Sequence, residues 1–145
     1  MTLAQAARDA EESFAWGEAV VPMIIVLVVL TLTGLFQMRV ARKLADGSIR
    51  RNWLMGVRTT ATRSSDEAWL VAQKAGEADL VRTGWTAIAT GPAAMLVAVA
   101  VGATDAERAM IGWGIALGIG MVALMAFAIR GTVRGHRAAK AYAGT

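Results

Sequence analysis

Three long apolar stretches without a charged residue dominate the pattern of this chain, at residues 19–38, 84–103 and 109–129. The apolar residues are concentrated in these blocks rather than spread along the sequence. A helix that crosses a bilayer needs about 20 predominantly apolar residues, and each stretch meets that length. The pattern therefore predicts an all-α membrane protein with three transmembrane helices.

The third stretch contains closely spaced glycines, among which Gly114 and Gly118 form a GxxxG pair. Small residues at this spacing let the backbone of a second helix approach closely. The pair predicts a helix-packing face, used either for self-association or for docking to a larger complex. The alternative is that glycine is simply common in membrane helices.

The segment between the first two spans, residues 39–83, predicts a loop followed by a short helix. Ser64 as N-cap with Glu67 three residues later makes a capping box, and Asp66 and Glu67 suit the positive end of a helix dipole. A helix over 66–81 follows, with Trp69, Ala72, Gly76 and Leu80 roughly on one face. This helix lies along the membrane surface or runs almost directly into the second span.

The distribution of lysine and arginine predicts the orientation. Residues 39–83 carry nine of the fifteen and residues 130–145 carry four, whereas residues 1–18 and the link 104–108 carry one each. Because basic residues stay on the cytoplasmic side, we expect an extracytoplasmic segment 1–18 and link 104–108. The loop 39–83 and the basic tail 130–145 are then cytoplasmic. The acidic character of residues 1–18 favours an uncleaved anchor over a signal peptide.

Composition limits the chemistry that the chain can perform. It has no cysteine and one histidine, His136, which has no acid or second histidine near it in sequence and is expected to face solvent or headgroups. No ionisable residue lies within the three spans, although proton relays and ion pathways usually need one. We therefore expect no catalytic residue, no metal site and no cofactor. The net charge of +4 indicates topology and contact with membrane lipids rather than nucleic acid.

The loop carries a more specific pattern than its composition. Eight residues follow one another in the order of a known signature: Asn52, Gly56, Arg58, Thr59, Thr62, Asp66, Glu67 and Trp69. Their spacing resembles the signature of the SdpI family of bacterial integral membrane proteins. The chain departs from it at Thr60, where many members have proline. We expect Arg58 to fold back on the carboxylates of Asp66 or Glu67, or to bind a lipid phosphate.

The resemblance implies a multi-pass protein of the bacterial plasma membrane that acts by binding another protein, in toxin immunity or envelope-stress signalling. The partner would be a peptide toxin, a regulator, another membrane protein or a second copy of the chain. The alternative is an accessory subunit of a larger membrane complex. In either case the eight signature residues are the predicted partner-binding positions.

Overall fold

A computed structural model describes residues 2–102 and 105–144, which form three long helices and one short 3-10 helix. The first helix, α1, spans Leu3–Ala45, and its first turn is capped by a capping box between Thr2 and Gln5. It ends where Asp46 forms the C-cap and Gly47 adopts φ +83°, because glycine enters the left-handed region without steric cost. Met1, Thr145 and the predicted boundary between the second span and the following link, residues 103–104, lie outside the described residues.

The second helix, α2, covers Asp66–Val101 without interruption. The short helix predicted over 66–81 is thus the first half of α2 and runs straight into the second span. Its N-cap is Ser65, whose side chain accepts a hydrogen bond from the Ala68 backbone at 3.0 Å. The predicted cap, Ser64, instead donates to the Ala61 carbonyl at 2.8 Å, at the end of the 3-10 helix Ala61–Arg63.

The third helix, α3, spans Ala106–Ala143, with Asp105 as its N-cap. It continues through the basic segment that follows the third apolar stretch. At 38 residues it is about 57 Å long at 1.5 Å per residue, well beyond the ~30 Å hydrocarbon core. The N-terminal half of α2 and the C-terminal half of α3 therefore extend together beyond the apolar stretches that are predicted to cross the membrane.

The described residues contain three helices long and apolar enough to cross a membrane, and residues 2–102 and 105–144 hold no strand. Large apolar side chains point outward along all three helices, as in Phe36, Leu96 and Val122. The buried apolar positions are mostly alanine. An apolar exterior over a core of small residues is typical of a bundle that packs in lipid.

Helix α2 lies in the middle of the bundle and packs against both neighbours, whereas α1 and α3 barely meet. Its glycines permit this. A Cβ on Gly34 of α1 would lie 2.5 Å from the Gly84 carbonyl oxygen, and one on Gly76 would lie 2.9 Å from that of Gly131 in α3. By contrast, nothing lies within 4 Å of a Cβ at Gly114 or Gly118. The predicted GxxxG face is therefore not used inside the chain, and its use by a partner stays a prediction.

Candidate functional site

The signature loop (residues 52–63) begins with a turn that the Asn52 side chain holds. Its Oδ1 accepts hydrogen bonds from the backbone of Leu54 at 2.8 Å and Met55 at 2.9 Å, while Nδ2 donates to the Arg50 carbonyl at 2.8 Å. Asparagine side chains commonly stabilise turns in this way. Gly56 follows with φ +86°. A residue with a side chain would be strained there, so Asn52 and Gly56 both shape the backbone.

A residue that the sequence analysis did not select, Gln73 of α2, anchors this loop. Its Oε1 accepts from the Val57 N–H at 3.0 Å, and its Nε2 donates to the Val57 carbonyl at 3.3 Å. Gln73 is 1% exposed and Val57 is 3% exposed. A Cβ on Gly56 would lie 2.6 Å from the same Oε1. The amide thus pairs with both polar groups of Val57, and the absence of a side chain at Gly56 makes room for it.

Two threonines of the signature close the second half of the loop. Thr62 is fully buried, and its hydroxyl accepts from the Thr59 N–H at 2.8 Å while donating to the Val57 carbonyl at 2.8 Å. The Thr59 hydroxyl lies 3.0 Å from Nδ1 of His136 in α3. His136 was expected to face solvent or headgroups, and that expectation is wrong, since the histidine joins the loop to α3.

The arginine that contacts the helix start is Arg51, not Arg58. Arg51 Nε lies 3.0 Å from Asp66 Oδ1, and its Nη1 donates to the Arg63 carbonyl at 2.7 Å. Arg58 instead donates through Nη1 to the Trp53 carbonyl. The expected pairing of Arg58 with Asp66 or Glu67 is therefore wrong. The loop takes Arg58 back toward its own first turn and leaves Arg51 beside the carboxylate.

The remaining signature residues lie at the start of α2. Asp66 and Glu67 are exposed in its first turn, where carboxylates interact favourably with the helix dipole. Trp69 is 2% exposed, and its Nε1 has no hydrogen-bond acceptor among the described residues. The signature thus divides into a hydrogen-bonded loop, an exposed acidic helix start and a buried tryptophan.

The loop forms one end of a cavity of about 310 Å³ between the helices. It is mainly apolar and has Thr33, Gln37 and Thr132 as polar members of its wall. The remaining lining residues come from α1, the loop and α2: Phe36, Val40, Ala41, Leu44, Met55, Gly56, Val57 and Leu80. Because α1 and α3 barely meet, a space remains between these two helices along one side of α2, and the folded loop forms one end of that space.

A second polar cluster, which was not predicted from the sequence, lies between the N-terminal half of α2 and the C-terminal half of α3. Asp79 is fully buried. One carboxylate oxygen lies 2.8 Å from Arg82 Nη1, and the other lies 2.9 Å from Arg134 Nη1 and 3.6 Å from Arg130 Nε. The signal for it was an acid five positions before the second apolar stretch and two arginines just after the third. Only the pairing of the two helices brings these residues together.

Within residues 2–102 and 105–144, no group of three or more histidine or acidic side chains is arranged to hold a metal ion. The polar groups of the signature loop bond to one another and to α2 and α3. Their arrangement can present a fixed surface and a cavity to a binding partner.

Comparison with known proteins agrees with the signature. No curated protein and no solved structure matches the chain. The SdpI/YfhL protein family matches residues 48–130, a segment that contains the signature loop, all of α2 and the whole apolar part of α3. Since this segment covers more than half of the 145 residues, the chain belongs to the SdpI/YfhL family.

Proposed function

We propose that the protein is an SdpI-type binding protein of the bacterial plasma membrane, acting in toxin immunity or envelope-stress signalling by binding another protein. The supporting observation is that the signature loop is anchored to Gln73 and borders the cavity between the helices. A flexible tether would not need a buried amide to hold its backbone. SdpI/YfhL is not a known enzyme family, so recognition is favoured over catalysis.

In this proposal the N-terminus is outside, and the signature loop and the C-terminus are cytoplasmic. Thirteen of the fifteen lysines and arginines then lie inside, as the preference of basic residues for the cytoplasmic side requires. Because the chain has no cysteine, single cysteines report the topology cleanly. A cysteine at Thr2 should react with an impermeant reagent added to intact cells, and one at Ser48 only after lysis. Labelling of the Ser48 position in intact cells would show that the orientation is the reverse of the proposed one.

The binding role is tested by crosslinking from the cavity. A photoreactive side chain at Met55 or Thr33, which line the cavity, should capture one defined protein in intact cells. The control position is Val122, an exposed apolar residue of α3 outside that cavity. Equal capture of the same protein from all three positions would contradict a role for the cavity.

Immunity is tested by survival. A neighbouring gene that encodes a secreted peptide or a small repressor would support this role, and such a peptide would be the natural toxin for the assay. Expression of the chain should protect cells from such a peptide. Thr33→Trp, which fills the cavity, should abolish protection, whereas Leu32→Trp at the neighbouring exposed position should retain it. Protection by both variants would exclude the cavity as the recognition site.

A specific observation also supports the second candidate function, an accessory subunit of a larger membrane assembly. Gly114 and Gly118 lie on α3 with open space beside them, which is suited to close packing of a helix from another chain. Gly114→Leu should then release a co-purifying membrane protein or a second copy, while Leu117→Ile should retain it. Identical retention by the two variants would leave this function without support.

A further inference from the structure

The cluster around Asp79 holds more positive charge than its carboxylate needs. A single arginine would neutralise the one buried acid, yet Arg82, Arg130 and Arg134 all lie within ion-pair distance of it. Two positive charges are therefore in excess. Since Asp79 is fully buried, its charge does not face an approaching ligand.

The three arginines are also available to a ligand. Their side chains are 51%, 54% and 46% exposed, in the order Arg82, Arg130 and Arg134. Each guanidinium carries five N–H donors, and Arg82 and Arg134 each spend one on Asp79, through Nη1. The carboxylate thus fixes three guanidinium groups side by side while most of their donors stay free. Planar groups of this kind bind phosphate oxygens in pairs.

An apolar groove of about 350 Å³ lies between α2 and α3, on the face of this helix pair that carries the three arginines. Its α2 wall contains Thr86, Ala89 and Ala93. Together with Arg82 these positions follow a spacing of four, three and four, which places them on one stripe of the helix. Its α3 wall contains Ala116 and Gly120. Continuing along α3 in steps of three or four residues reaches Arg130 and Arg134 on the same stripe of the helix.

The dimensions of this groove suit a lipid chain. Ala93 follows Arg82 by eleven positions, which is about 16 Å along a helix. On α2 the groove begins at Thr86, about 6 Å along the helix from Arg82, and ends at Ala93, near the middle of the ~30 Å hydrocarbon core when the arginines lie at its edge. Small side chains leave a shallow channel there, and burying apolar surface in it adds to the attraction of the charged end.

We propose that this face is a binding site for one anionic phospholipid, with the headgroup phosphate on Arg82, Arg130 and Arg134 and an acyl chain in the groove below. Asp79 orients the guanidinium groups without touching the lipid. The site lies at the end of α2 and α3 that carries the signature loop, so it takes a lipid of the leaflet facing that loop. The inference is independent of the proposed immunity or accessory role.

The test uses the full-length chain in a neutral detergent, with bound lipid measured by native mass spectrometry. Phosphatidylglycerol should bind as one retained molecule, and phosphatidylcholine with the same acyl chains should bind at least about tenfold more weakly. Glycerol 3-phosphate supplies the same anionic chemistry without acyl chains. It should compete poorly, and effective competition would mean that a free phosphate compound is the ligand instead.

The arginine contribution is tested with the double variant Arg130→Gln/Arg134→Gln, which should weaken phosphatidylglycerol binding by about tenfold or more. Arg137→Gln removes one charge from an exposed position of the same helix and should leave binding within about twofold. Asp79→Asn retains all three arginines but removes the carboxylate that holds them side by side, so it should weaken phosphatidylglycerol binding although the net positive charge rises by one. Binding as tight as that of the parent chain in Asp79→Asn, with the helices intact, would overturn the orientation role of Asp79.

A groove variant keeps the proposal falsifiable if the double variant does not fold. Ala93→Phe fills the groove at an exposed position without changing charge and should weaken phosphatidylglycerol binding. Val99→Phe, also exposed but on another face of α2 and outside the groove, should not. Equal binding of phosphatidylglycerol and phosphatidylcholine to the parent chain, or unchanged binding in Ala93→Phe, would refute the lipid site.

Discussion

The substitution Gln73→Met tests whether the signature loop depends on a single buried amide. Methionine has a similar length and no hydrogen-bonding group. The change removes the acceptor of the Val57 N–H, which lies at 3.0 Å, and one donor to the Val57 carbonyl. The carbonyl keeps the Thr62 hydroxyl at 2.8 Å, so only the N–H loses its partner.

A buried donor left without a partner costs about 1–3 kcal/mol. Since 1.4 kcal/mol corresponds to a factor of ten, local opening of the loop should become about 5- to 150-fold more frequent. The overall fold should persist, because the α1–α2 and α2–α3 contacts do not involve this amide. The substitution should therefore destabilise the signature loop and leave the packing of the three helices unchanged.

Hydrogen–deuterium exchange of the full-length chain measures this opening. Peptides covering 52–63 should exchange faster in Gln73→Met, while peptides from the apolar part of α2 should not change. Lys74→Met introduces the same side chain at the adjacent exposed position and serves as the control. If the loop exchanged at the parent rate in Gln73→Met, the amide would not be its anchor and a different contact would hold the loop.

Further predictions concern packing, the loop ion pair and one carboxyl group. Gly84→Leu should lower the stability of the bundle by about 1–3 kcal/mol through overpacking against α1, measured by denaturant or thermal unfolding, whereas Gly114→Leu should leave the monomer unchanged. Arg51→Ala removes a partly exposed ion pair with the start of α2 and should change loop exchange by at most about fivefold; a larger effect would refute a surface pair. Hydrogen bonds from the Ser48 side chain and then its backbone N–H hold the pKa of Asp46 below its usual value. Their stabilisation is present at neutral pH and is lost as the pH falls through the lowered pKa, so Ser48→Ala should raise the Asp46 titration midpoint measured by NMR.

The candidate site was predictable where a residue acts on its own backbone. Asn52 and Gly56 belong to residue types that favour turns, and both hold the turn that begins the loop. Gln73 was missed although it lies between Ala72 and Gly76 on the face that the sequence analysis identified as apolar. A polar residue within such a stripe is a signal of a buried hydrogen-bond partner, since a buried amide must be satisfied.

Other features depended on distances that sequence spacing does not contain. Both Arg51 and Arg58 can reach Asp66 when the loop is considered as a flexible chain, and the turn around Gly56 decides between them. Asp79 and Arg134 are separated by 55 positions. They meet only because Gly76 and Gly131 let the two helices approach closely at one particular register.

Hydropathy along the chain was enough to predict the number of spans and the all-α class. These features follow from local hydropathy and local backbone preference, which act over one turn or one span. Only the packed helices show that α2 is continuous, that Arg51 rather than Arg58 meets the acidic helix start, and that Gly114 and Gly118 face away from the bundle. These outcomes depend on how each helix is rotated and shifted against its neighbours, and that is set by side-chain packing summed over whole helix faces.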